Sequence, residues 1–63
     1  MTQSEKNEVL RAFDELSDLV TTLQERAWND AEAWNVYNRA RMSIVGARSE
    51  IAKMLNNRLL SRG

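Results

Sequence analysis

Asp14 and Asp18 stand four residues apart, with Glu15 and Glu25 nearby. On a helix that spacing puts the two aspartates on one face. Paired carboxylates can hold a divalent ion or divide acid and base roles between them. Here they have no imidazole or basic partner in the pattern, and nothing in the sequence encloses them. The expected role is a solvated acidic face. Ser17 and Ser43 fall inside helical stretches, and the chain has no His to activate either as a nucleophile. With no His and no Cys, ordinary zinc sites and disulfides are excluded. No enzyme, no cofactor and no metal site is therefore expected.

Basic residues offer a second kind of chemistry. Arg39, Arg41, Arg48, Lys53, Arg58 and Arg62 crowd the second half of the chain. Contacts to a phosphate backbone need charges that share a face. On a helical wheel only Arg41 and Arg48 align. Nine basic residues balance nine acidic ones, so the whole chain has no nucleic-acid footprint. Binding to RNA or DNA stays an alternative, because two chains could assemble a stripe that one lacks.

The elements that would position these residues read as helices. The chain has no Pro and its glycines are Gly46 and Gly63 alone, so little interrupts helical structure. Thr2-Gln3-Ser4-Glu5 has the spacing of a capping box, and Ser4 is a second candidate cap. Val9, Phe13, Leu16, Val20, Leu23 and Ala27 follow at alternating intervals of four and three, a heptad seam. Ala12 and Leu19 widen it. Asn7, Arg11, Asp14, Asp18 and Glu25 occupy the other side. This predicts an amphipathic helix over residues 3–27.

Trp28-Asn29-Asp30 predicts a turn over residues 28–30, with Asn29 as the N-cap of the next helix, Glu32 three residues later and Trp28 stapled to Ala33. The second helix is expected over residues 30–61. Its seam is Ala33, Tyr37, Ala40, Ile44, Ala47, Ile51 and Met54, in which small and large residues alternate. Small residues at every second place let two antiparallel helices approach closely; the plainer reading is the helix propensity of Ala. Residues 1–28 hold three basic and six acidic residues, and residues 29–63 hold six basic and three acidic. The helices thus carry net −3 and +3, which suits an antiparallel pair.

The fold class expected is all-α: one domain over residues 1–63, an antiparallel two-helix hairpin that dimerises into a four-helix bundle. The alternative is one long helix in a coiled coil, with a phase slip between Ala27 and Tyr37. At 63 residues a single core is thin, and neither disulfide nor zinc is there to support it. Self-association is the remaining support, so a homodimer is expected.

Helix lengths of roughly 37 and 48 Å leave the second helix overhanging by about two turns. Met54, Leu55, Leu59 and Leu60 fall in that overhang. Trp34, Val45, Ala52 and Leu59 form a second apolar stripe, with Arg41 and Arg48 along it. Two readings are open for this surface: core of a dimeric bundle, or a docking site. An exposed Trp beside Arg and aliphatic residues has hot-spot composition. The expected partner-binding residues are Trp34, Arg41, Val45, Arg48, Leu55 and Leu59. Gly46, with Ser43 and Ala47, makes either a small-residue contact patch or a tolerated surface position.

The architecture also resembles the Rop-type RNA-binding hairpin. The likeness lies in total length, the Met1-Thr2…Glu5-Lys6 opening and the Asp30-Ala31 pair near the turn. The seam does not follow that family's core register. The resemblance implies an antiparallel four-helix bundle and, as the alternative function, a dimeric RNA- or DNA-binding protein. The leading expectation is a non-enzymatic interaction module, a small regulator, inhibitor or adaptor that binds another protein through its second helix. No apolar run approaches the ~18–20 residues of a membrane span. The polar stretch from Thr2 to Glu8 is unlike a signal peptide, and the expected location is the cytoplasm.

Overall fold

A computed structural model describes residues 2–61. Helix α1 runs Gln3–Arg26 and helix α2 runs Ala31–Ser61. They fold back on each other as an antiparallel hairpin. The Cα atoms span 51 × 16 × 8 Å, the thickness of one helical layer. The single continuous helix is thereby excluded.

Thr2 starts α1 as the capping-box spacing predicts. Its Oγ1 accepts from the Glu5 N–H at 3.1 Å and donates to the Glu5 carboxylate at 3.3 Å. Two side chains thus close the first turn, where backbone donors have no helical acceptor. Ala27 closes α1: its N–H donates to Gln24 O at 3.0 Å, a tighter last turn than the α-helix proper. The Asp30 N–H then donates to Ala27 O at 3.0 Å. Among the described residues no φ is positive, so this turn needs no glycine.

The cap of α2 corrects the sequence reading by one residue. Asp30, not Asn29, is the N-cap: its Oδ1 accepts from the Ala33 N–H at 3.1 Å, and Trp34 N–H donates to Asp30 O at 2.8 Å. Both residue types cap well. Asp30 is favoured because its own N–H is already tied to Ala27, which fixes the chain just before the helix. Glu32 then sits second in the helix rather than at the capping-box position, and the Trp28–Ala33 staple falls out of register.

Three cross-helix contacts set the register. Lys6 Nζ donates to Asn56 Oδ1, Arg48 meets Asp14, and Gln24 Nε2 donates to Asn38 Oδ1. Residues 6, 14 and 24 are therefore level with 56, 48 and 38. This overturns the expected overhang. The extra length of α2 runs beside the turn, where residues 31–35 are level with residues 27–30. Its far end is level with the start of α1. Leu55, placed in the overhang from helix lengths alone, is 2% exposed and is the one buried apolar side chain among the described residues.

Candidate interaction surface

The side of each helix turned inward takes in most of the heptad seam, with Leu16, Leu23 and Met54 the exposed exceptions. On α1 the half-buried or buried residues are Lys6, Val9, Leu10, Phe13, Ser17, Val20, Thr21, Gln24 and Ala27. That stripe includes Ser17, Thr21 and Gln24, which hydrophobic periodicity passes over. On α2 the half-buried or buried residues are Ala33, Tyr37, Asn38, Ala40, Arg41, Ile44, Ala47, Arg48, Ile51, Ala52, Leu55 and Leu59. Much of the stripe expected to meet a partner thus lies against α1.

The six expected partner residues are accordingly dispersed. Arg41 is half-buried, and its Nη2 donates to Asn38 Oδ1 at 3.1 Å. Arg48 forms an ion pair with Asp14 at 2.8 Å. Leu55 is enclosed and Leu59 half-buried. Trp34 and Val45 remain exposed. The structure therefore does not bring the six together as one open patch. Arg41 and Arg48, the two aligned cations, are both engaged within the hairpin.

A polar layer crosses the interior near the turn. Gln24 is 5% exposed, and its Nε2 reaches Asn38 Oδ1 at 3.3 Å and Trp34 O at 3.5 Å. Asn38 Oδ1 thus accepts from Gln24 and Arg41 together. Arg41 Nε is enclosed without an acceptor. Enclosed polar groups favour the one arrangement that satisfies them, so this layer helps hold the register. No apolar pattern announces it, which is why the sequence reading missed it.

The inward stripes leave one flank of the hairpin apolar across both helices. From α1 it carries Ala12, Leu16, Leu19 and Leu23; from α2 it carries Val36 and Met54, with the half-buried Ala33, Ala40 and Ala47 along its inner edge. Leu16, Leu19 and Leu23 are between 42% and 65% exposed. Leu23, Ala27, Ala33 and Tyr37 line one shallow depression where the helices meet at the turn end, together with Arg26, Asn29 and Asp30. The other flank is mixed: Asn7, Asp14 and Glu25 on α1, Asn35, Asn38, Ser49 and Asn56 on α2, with Trp34, Met42 and Val45 exposed among them. Trp28 stands in the turn, 79% exposed.

Asp18 and Glu25 lie on the outside of α1, whereas Asp14, expected to lack a basic partner, pairs with Arg48 across the helices. Nothing crowds a Cβ built on Gly46 within 4 Å, so it occupies open helix surface. Among the described residues no helix is long and apolar enough to cross a membrane. Compared with models of known protein families, with curated proteins and with solved structures, the chain matches none.

Proposed function

We propose that this chain is a non-enzymatic protein–protein interaction module that works as a homodimer, its apolar flank covered by a second copy. A small regulator, inhibitor or adaptor is the class of protein such a module suits. The observation that carries the reading is the exposure of Leu16, Leu19 and Leu23 on one flank, with Leu55 the single buried apolar side chain among the described residues.

Area supports a second copy as the occupant. One chain exposes 4819 Å², whereas a compact protein of its mass, 7.3 kDa, exposes roughly 4,200 Å². Two separate chains expose twice 4819 Å², against roughly 6,900 Å² for a compact particle of doubled mass. The difference, roughly 2,700 Å², is what a fully compact pair would bury, against roughly 1,500 Å² for two already compact chains of this mass. A flank that is apolar on both helices is what a face-to-face pair of hairpins buries.

Sedimentation equilibrium across a wide concentration range tests this. A mass of two chains, with the dimer weakened by Leu19→Ala, is the expected result. A folded monomer at every concentration would overturn it.

A further inference from the structure

The turn departs little from helical backbone. Ala27 has φ −95° and ψ 25°, within roughly 70° in ψ of a helix. Its N–H donates to Gln24 O, the Asp30 N–H donates to Ala27 O, and the Trp34 N–H donates to Asp30 O. Short-range backbone bonds thus tie the chain on both sides of one reversal. Residues 27–30 hold no Gly and no Pro, and among the described residues no φ is positive. Nothing in these four residues forbids helix. Rewinding them would join α1 and α2 into one.

For a lone chain that continuous helix is excluded, because the inward side of each half would then have nothing to cover it. Two chains remove the objection. The level pairs 6 with 56, 14 with 48 and 24 with 38 share one midpoint, residue 31. Two straightened chains laid antiparallel, with residue 31 facing residue 31, recover the same pairs between chains about a two-fold axis. An inward row also crosses the turn. Gln24, Ala27, Ala31, Trp34, Asn38 and Arg41 follow at intervals of three, four, three, four and three, the spacing of one helix face. Gln24 is buried, and Ala27, Asn38 and Arg41 are half-buried, with Tyr37, Ile44 and Ile51 half-buried beside the row on α2. Ala31 and Trp34 are the exposed members. They stand at the reversal, where the turn and not a helix lies across from them. In the straightened pair a helix lies there, and Trp34 comes level with Trp28 of the second copy.

We propose that the hairpin opens at residues 27–30 and exchanges α2 with a second copy, giving two continuous helices that lie antiparallel and are centred on residue 31. The closed form keeps the Asp30 cap and closes within one chain. The exchanged form loses the cap, gains helical bonds through residues 27–30 and covers Ala31 and Trp34. Rising concentration favours it by mass action. Exchange goes beyond the flank contact of the homodimer and is separate from it, since it leaves Leu16, Leu19 and Leu23 as open as the hairpin does.

The chain has no Cys, so Arg11→Cys with Glu50→Cys places two nitroxide labels at exposed, nearly level sites. Diluting labelled chains into a large excess of unlabelled ones leaves only distances within one chain. Pulsed electron spin resonance should read roughly 15–30 Å in the hairpin, with neighbouring helices about 8–10 Å apart. A continuous helix at about 1.5 Å per residue puts the labels roughly 58 Å apart. The long separation is expected after refolding at millimolar concentration, in the fraction with the mass of two chains. The short one is expected after refolding at micromolar concentration. A two-chain mass with the short separation alone would overturn the exchange while leaving the flank homodimer standing. A folded single chain at every concentration would overturn both. Two glycines inserted between Asn29 and Asp30 interrupt a continuous helix and ease the reversal, so the long separation should vanish. Asp30→Ala removes the cap of the closed form and should raise the ratio of exchanged to closed chains about fivefold or more. A long separation that survives the glycines, or a ratio that Asp30→Ala does not move, would overturn the hinge.

Discussion

Leu19→Ala separates surface from core. Leu19 is 65% exposed in the hairpin, so little apolar contact is lost within one chain, and Ala is at least as good a helix former. Fully burying a leucine is worth about 1.5–3 kcal/mol. With roughly two thirds of it still to be covered, the dimer contact contributes about 1–2 kcal/mol per chain and about 2–4 kcal/mol per dimer by the same scale. Each 1.4 kcal/mol is tenfold in the dissociation constant, so the variant should dissociate about 30- to 700-fold more readily. Sedimentation equilibrium reads that change, and far-ultraviolet circular dichroism at matched concentration reads the helices. At high concentration the variant should remain as helical as the parent. A dissociation constant within threefold of the parent's would refute the reasoning, because Leu19 would then be free surface. Lost helicity at high concentration would refute it differently, by showing that Leu19 holds the hairpin itself.

Three further outcomes follow from particular contacts. Leu55→Ala should destabilise the hairpin by about 2–3 kcal/mol in urea unfolding, the lower part of the range for enclosed leucines because its surroundings are only half-buried; a loss under ~1 kcal/mol would mean that α1 does not cover it. Asp30→Ala should cost about 1 kcal/mol through the lost cap while Asn29→Ala stays near neutral, and the reverse order would restore Asn29 as the cap. Gly46→Ala should raise stability by about 0.5–1 kcal/mol, since nothing lies within 4 Å of the added methyl group; a loss of stability or of dimer would show a close neighbour there.

How much of this was legible in the sequence differs from residue to residue. The helices were readable because Val9 to Ala27 and Ala33 to Met54 each keep a strict four-three spacing, and Thr2 announced its cap. The turn was located correctly, but two good caps stand side by side at Asn29 and Asp30. A hydrogen bond to Ala27 that the sequence does not display selects the second. The inward phase of α2 was legible in part: Ala33, Tyr37, Ala40, Ile44, Ala47 and Ile51 of its seam are half-buried. Ala52 and Leu59 of the second stripe are half-buried too, so periodicity alone does not fix the phase. The choice is coupled to Gln24, Asn38 and Arg41, polar residues whose mutual hydrogen bonds appear only once the helices are side by side. The overhang failed because helix lengths do not give register. Cross-helix contacts do, and they place Leu55 beside the start of α1.

The mass of the chain in solution tests the central claim most directly. Sedimentation equilibrium from micromolar concentration upward should return two chains, with folding and dimerisation lost together on dilution. A compact, helical, single-chain particle over the whole range would contradict it, since the Leu16–Leu19–Leu23 flank would then stay open to water.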